Sequence, residues 1–275
     1  MSKIIYINGN YLFSYKAKLS VNDRSFLFSD AVYEVVAVFG KKLVFWREHI
    51  DRLKKSVNSI NINYIVNSDT LKVKAKEIIE KNSIDNGLVY IHISRGQGLR
   101  NHNWDNNIKP SLVISGLHKK ISLHQKAINL ISSRDIRWKR CDIKSVSLLP
   151  NVILKQEAKI KGAFECVLID DKGFVTEATT SNLWIIKDDI LITRPLGTDI
   201  LSGVTRKKII EIAKSQNIKI KFKKFQEKDI YLADGVFISN SSSFVLEAKK
   251  MNNIKLKYGK NSIIKKIKGE LFNLI

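Results

Sequence analysis

Six short runs of this chain hold residue types that do chemistry once they are fixed in place. Lys144 stands in Arg137-Trp138-Lys139-Arg140-Cys141-Asp142-Ile143-Lys144-Ser145, followed by Leu148-Leu149-Pro150-Asn151. Its setting, after a strand-like run and before an apolar pair, is what sets it apart. Composition alone makes it one of 48 basic residues, most of them solvated. Glu177, in Thr176-Glu177-Ala178-Thr179-Thr180-Ser181-Asn182, is a carboxylate at a strand end, which is equally an ordinary turn residue. Ile200-Leu201-Ser202-Gly203-Val204-Thr205-Arg206 opens a helix whose free N–H groups and dipole suit a dianion, with the Thr205 hydroxyl as a further donor. Arg100-Asn101-His102 places a guanidinium, which can fork onto a carboxylate, two residues from an imidazole. The remaining runs are Asp23-Arg24-Ser25-Phe26-Leu27-Phe28-Ser29-Asp30-Ala31-Val32-Tyr33-Glu34-Val35 and Glu48-His49-Ile50-Asp51-Arg52-Leu53.

These runs need elements to carry them, and the hydrophobic periodicity supplies candidates. Strands are expected at Ile4 to Asn8 and Tyr11 to Phe13. A hairpin follows, from Val32 to Phe39 and back through Leu43 to Phe45, turning at Gly40-Lys41. Ile50, Leu53, Val57 and Ile60 form a helical stripe, and Arg52 lies off it, so the pattern predicts a solvent-facing arginine. A second helix is predicted from Ser68 to Glu80, capped by Ser68 or Asp69. Strands at Val89 to Ser94 and Leu112 to Ser115 close this half, with Gly116 to Lys120 as the linker. Beyond it the pattern predicts strands at Ile128 to Ser132, Ile136 to Ile143, Phe164 to Ile169, Phe174 to Glu177, Leu183 to Ile186, Ile190 to Thr193 and Lys219 to Lys224. Gly235 to Ser239 is expected as the last strand, and helices at Pro150 to Gly162 and Thr205 to Gln216. The result is a mixed α+β chain in two pieces.

Composition bounds the function. An apolar fraction of 44% and a charged fraction of 27% are ordinary for a globular chain, and no stretch reaches the ~20 apolar residues of a membrane span. The start, Met1-Ser2-Lys3-Ile4-Ile5, lacks the apolar core of a secretory signal, so a cytoplasmic protein is expected. Two cysteines, Cys141 and Cys166, make no disulfide framework, and the five histidines (His49, His92, His102, His118, His124) show no metal-site spacing. No metal is expected. The net charge of +22 favours anions in general. Its lysines are spread along the chain and alternate with apolar residues, as in Ile218-Lys219-Ile220-Lys221-Phe222, and no nucleic-acid-binding signature accompanies them.

Taken in this order and at this spacing, the six runs resemble fold-type IV pyridoxal-phosphate enzymes, and among them most closely the D-amino-acid aminotransferases. The resemblance covers nearly the whole chain. It implies an α+β fold of two domains, residues 1–118 and a larger cofactor-binding domain at 121–275, with the active site between them. It implies pyridoxal 5'-phosphate as cofactor, bound as a Schiff base to Lys144, which afterwards shuttles the α-proton. Glu177 would lie against the pyridine nitrogen and keep the ring protonated. Arg52, Leu201, Val204, Thr205, Ser241 and Ser242 fall in the cofactor-binding set, Arg52 and the hydroxyl residues on the phosphate side. Tyr33, Arg100 and His102 would hold the substrate carboxylate, the last two reaching across from the second subunit of a homodimer. The implied reaction is ping-pong transfer from D-alanine to 2-oxoglutarate, giving pyruvate and D-glutamate. Branched-chain aminotransferases and aminodeoxychorismate lyases are rivals on the same fold that typically lack this Arg-x-His trap. A basic nucleic-acid-binding protein is the rival from another class. Departures from the family pattern are Ser29, Ala31 and Ala178 for glycines, Thr179 and Thr180 for serines, and Phe244 for an acidic residue. Val245-Leu246-Glu247-Ala248 also lacks a common proline. These changes bear on substrate range and rate more than on cofactor binding.

Overall fold

A computed structural model of the chain describes residues 3–121 and 125–275. Met1, Ser2 and His124 lie outside the described residues. The backbone divides into two compact units, Met1–Ile121 with Ile143–Ser147, and Ser122–Asp142 with Leu148–Ile275. The second crossing is absent from the periodicity: a five-residue strip containing Lys144 goes with the first unit.

The first unit has strands β1 (Ile4–Ile7), β2 (Asn10–Phe13), β3 (Ala31–Phe39), β4 (Lys42–Leu43), β5 (Gly87–Ser94) and β6 (Ser111–His118). Its helices are α1 (Arg24–Phe28), α2 (Trp46–Ser59) and α3 (Ser68–Lys81). The strands form an antiparallel sheet in the order β2-β1-β6-β5-β3-β4. Alternation along β3 sends Val32, Val36 and Val38 into the core with Ile50, Leu53 and Val57 of α2. Each such side chain contributes about 1.5–3 kcal/mol by burial. Gly40 and Lys41 both take positive φ, +52° and +62°, which matches the twist of a tight hairpin. Two expectations are corrected. Asn67, not Ser68 or Asp69, caps α3, its side chain accepting from the Thr70 N–H. Gly116–His118 is strand rather than linker, because it completes the pairing of β6 with Gly87–Val89.

The second unit has strands β7 (Ile128–Arg134), β8 (Glu165–Ile169), β9 (Val175–Ala178), β10 (Asn182–Lys187), β11 (Ile190–Thr193), β12 (Ile220–Phe222), β13 (Gly235–Asn240), β14 (Phe244–Met251) and β15 (Ile254–Lys255). Its helices are α4 (Leu149–Ile160), α5 (Val204–Ser215), α6 (Glu227–Tyr231) and α7 (Ser262–Asn273). The sheet order is β12-β11-β10-β13-β14-β7-β8-β9, with β15 paired to β14. It is mixed: β7 runs parallel to β8 and β14, and β11 to β12. Strand β8 is buried on both faces, Val167 in the main core and Cys166 and Leu168 beneath Leu154 and Ala158 of α4.

The segment Ile136–Ile143, expected as a strand, is irregular. Its polar groups are spent elsewhere: Arg137 enters a buried ion-pair network, Arg140 pairs with Asp142, and the Cys141 N–H donates to the Thr198 carbonyl. Nor is Gly235–Ser239 the last strand, since β14, β15 and α7 follow. Helix α7 buries Ile263, Ile264, Ile267 and Leu271 at helical spacing behind an Asn261 cap. No helix among the described residues is long and apolar enough to cross a membrane.

Candidate active site

Lys144 is held by its backbone. Its carbonyl accepts from the Tyr33 N–H at 3.0 Å, its N–H donates to Ser56 Oγ at 3.2 Å, and Val146 N–H donates to the Ala31 carbonyl at 3.1 Å. These bonds fix the strip to the start of β3. The Nζ stands 4.3 Å from the centre of the Tyr33 ring, a cation–π distance. Tyr33 stacks on Tyr90 at 5.4 Å, and the Tyr90 hydroxyl shares a 3.3 Å hydrogen bond with His92 Nδ1. Burial pushes the Tyr90 phenol up to about 12 and the His92 imidazole down, and His92 Nε2 has no hydrogen-bond partner among the described residues.

On the opposite face of β3, Glu34 is fully buried beneath α2. Arg52 and His49, one turn apart on that helix, both reach it. Arg52 donates from Nε to Oε1 at 2.7 Å and from Nη2 to Oε2 at 2.8 Å, and His49 Nδ1 bonds Oε2 at 2.7 Å. Burial alone would raise the Glu34 carboxyl, but Arg52 and the hydrogen bonds hold it well below the usual carboxylate range. Burial pushes His49 down, which leaves it neutral at pH 7. Arg52 is therefore not the solvent-facing residue its place off the stripe predicts; a buried carboxylate draws it inward.

Arg100 and His102 lie exposed on the loop after β5. Their neighbour is Phe28, 5.8 Å from the Arg100 guanidinium and 5.4 Å from the His102 ring. The structure does not bring them together with Tyr33, whose neighbours are Tyr90 and Lys144.

In the second unit Glu177 lies in β9, one residue before its end, and is 5% exposed. Its carboxylate accepts from Arg137 Nη1 at 2.5 Å, from Asn182 Nδ2 at 2.9 Å and from the Leu201 N–H at 3.2 Å. Burial raises the carboxyl against the pull of Arg137 and the Leu201 N–H. Asp135 aligns Arg137 through Nε at 2.9 Å and Nη2 at 2.8 Å. Leu201, Val204 and Thr205 thus belong to one stretch: the Leu201 N–H is on Glu177, and Val204 and Thr205 open α5 without a side-chain cap. Gly203 precedes them, and a Cβ built on it would lie 2.1 Å from Asn182 Oδ1. Arg206, in the same first turn, is buried, its Nε has no hydrogen-bond partner among the described residues, and burial pushes it down to about 10. Ser241 and Ser242 sit in the turn between β13 and β14, where the Ser242 N–H and hydroxyl both donate to Asn240 Oδ1.

Arg137, Asn182, Glu34 and His49 carry geometry that residue type alone did not assign. All four fall inside the six runs, and that clustering was the only signal for them.

Residues 31–251 match the family model for the class IV amino-transferases. A D-alanine aminotransferase of Bacillus licheniformis is 33% identical over 244 residues, covering 88% of this chain and 86% of its own. The branched-chain amino acid aminotransferase of Escherichia coli superposes with a TM-score of 0.91 at 23% identity, over 100% of this chain and 95% of that one. A branched-chain amino acid aminotransferase from T.th., complexed with N-(5'-phosphopyridoxyl)-L-glutamate, superposes at 0.85 with 20% identity, over 99% and 94%. The chain belongs to the class IV aminotransferases, the fold-type IV group of pyridoxal-phosphate enzymes, and moves amino groups between amino acids and oxo acids.

Its residues fit that cofactor. The uncapped start of α5 suits a phosphate, with the Arg206 guanidinium in its first turn and the Nε of that group without a partner among the described residues. Glu177 is a buried, fixed carboxylate of the kind a protonated pyridine requires, and Gly203 lets Asn182 approach closely enough to hold it. Among the described residues no cluster of three His, Cys, Asp or Glu is placed to hold a metal ion.

Proposed function

We propose that this aminotransferase acts on D-amino acids, with D-alanine and 2-oxoglutarate as its natural pair. The observation that carries this reading is Arg100-Asn101-His102, a guanidinium and an imidazole exposed together on one loop. The 33% identity to a D-alanine aminotransferase supports it, whereas the branched-chain neighbours share the fold at 20–23% identity.

Pyridoxal 5'-phosphate, when bound, supplies an aldehyde for covalent capture of amines and an electron-poor ring that takes up the electrons left by the α-proton. Lys144 Nζ holds the cofactor, then carries the α-proton away from and back to the substrate. Tyr33, under that amine, orients it. Glu177 keeps a negative charge at the ring nitrogen, and Arg137 and Asn182 stop it from turning away. Val204 and Thr205, with the hydroxyls of Ser241 and Ser242, bind the phosphate, and Arg52, anchored by Glu34, adds positive charge. Arg100 and His102 hold the substrate carboxylate together with Tyr33. Their exposure on their own chain supports a role at the site of a second copy, and on this reading the working enzyme is a homodimer.

The test is transamination of D-alanine and L-leucine in parallel, each with 2-oxoglutarate and added cofactor. Pyruvate from D-alanine with no turnover of L-leucine is expected. Turnover of L-leucine alone would move the enzyme to the branched-chain group.

A further inference from the structure

Arg24 has no role in the reading above, yet it is 3% exposed, and its Nη donors go to one loop while its Nε goes to Asp30. Its Nε donates to Asp30 Oδ2 at 2.8 Å. Nη1 donates to the carbonyls of Asn101 and Asn103 at 2.7 and 3.4 Å, and Nη2 to that of His102 at 3.2 Å. Three successive carbonyls thus converge on one guanidinium, and they belong to the loop that carries Arg100 and His102. Asp30 is itself fixed, because Arg95 donates to it from Nε at 2.7 Å and Nη2 at 3.0 Å. The Arg95 guanidinium also stacks 3.9 Å over the Trp104 ring, which holds the loop one residue further on. Phe28 completes the support, with the Arg24 guanidinium 4.8 Å from its ring centre and His102 at 5.4 Å. At the base of the loop, Gly96 has φ +107° and lies so close to its return that a Cβ would stand 2.0 Å from the Lys109 carbonyl oxygen. The ends are pinned and the tip is gripped, although residues 99–107 are mostly exposed.

We propose that Arg24, with Asp30 behind it, is a positioning residue for substrate-carboxylate binding: it fixes the backbone of residues 101–103, and with it the direction of the Arg100 and His102 side chains. The proposal rests on the reading of Arg100 and His102 given above. A planar guanidinium is needed because one flat group must meet Asp30 on one edge and three carbonyls on the others. Lysine keeps the charge beside Asp30 but offers a single ammonium, which cannot span both sides.

The experiment is a double-mutant cycle on the cofactor-loaded enzyme with Arg24→Lys and Arg100→Ala, reading KM for D-alanine, kcat and the visible absorbance of the bound cofactor. Arg24→Lys is expected to raise KM about tenfold, with kcat within about twofold of wild type and the cofactor absorbance unchanged. On the Arg100→Ala background the same change should raise KM by less than about twofold, since the group it positions is gone. If Arg24→Lys leaves KM at the wild-type value while Arg100→Ala raises it, Arg24 has no positioning role and the carboxylate reading stands. If Arg100→Ala leaves KM unchanged, the carboxylate reading fails and this proposal falls with it. An equal effect of Arg24→Lys on both backgrounds means that it acts on the fold rather than through the pair, and overturns the proposal. Should Arg24→Lys not fold, Asp30→Asn takes its place in the same cycle, with the same outcomes deciding.

Discussion

Arg52 meets Glu34 edge to edge, Nε to Oε1 at 2.7 Å and Nη2 to Oε2 at 2.8 Å, one residue along β3 from the Tyr33 ring that faces Lys144. Neighbouring residues of a strand point to opposite faces, so the ion pair braces β3 from behind while Tyr33 faces the amine. Glu34→Gln leaves a guanidinium buried without its counter-charge, and should cost about 3–5 kcal/mol of stability in urea unfolding. A variant with the wild-type midpoint would show that α2 can release Arg52 to solvent at no cost.

Acid should destabilise the fold over two pH windows, one set by His49 and one by Glu34. Burial lowers His49, and Arg52 lowers Glu34, so the unfolded chain binds more protons than the folded one as pH falls. The His49 contribution is present above the ordinary imidazole value of about 6.5 and is lost as pH drops from there through its lowered folded value. The Glu34 contribution starts to go only below about 4.3 and is lost toward its own lowered value. Urea midpoints measured from pH 8 to pH 4 should fall in the upper window, and His49→Gln should flatten that part of the curve. Wild-type midpoints that do not change between pH 7 and pH 5.5 would contradict a neutral buried His49.

Gly203→Ala probes the start of α5. The φ of −64° at this position is open to any residue, so the effect comes from the methyl group alone. That methyl would lie 2.1 Å from Asn182 Oδ1 and push Asn182 off Glu177. Losing one such hydrogen bond, worth about 1–1.5 kcal/mol, should weaken cofactor affinity roughly tenfold in an absorbance titration. Unchanged affinity would mean that the helix start and Asn182 do not serve the cofactor.

Lys144→Ala should remove the visible absorption of the lysine-bound cofactor, together with turnover, while the far-ultraviolet circular dichroism stays native. The strip is tied to β3 by backbone bonds, which alanine keeps. A variant that retained both colour and turnover would assign the covalent link to another lysine.

The sequence made the family legible more clearly than the packing of its residues. Lys144, Glu177 and Gly203 stand in runs with specific local neighbours, and those runs could be read without knowing what pairs with what. Arg52 could not be placed, because its burial depends on Glu34, 18 positions away on another element. Helix α7 is not predicted: Ile263, Ile264, Ile267 and Leu271 have helical spacing, but the lysines between them mask it. Strand β14 begins at Phe244 with φ +56°, a left-handed turn that an aromatic residue seldom signals. Ser29 takes the same φ as the C-terminal cap of α1, a conformation that favours glycine. Ile136–Ile143 has strand composition, yet the buried partners of Arg137 outweigh that local preference.

The strip Ile143–Ser147 sets a rule for synthesis. Ala31 and Tyr33 wait for hydrogen-bond partners that the ribosome delivers only after part of the second unit has been made. A fragment ending at residue 121 would leave that edge of β3 unpaired, open to the wrong strand. The backbone around Lys144 is thus the last piece of the first unit to arrive, and the start of β3 is completed only then.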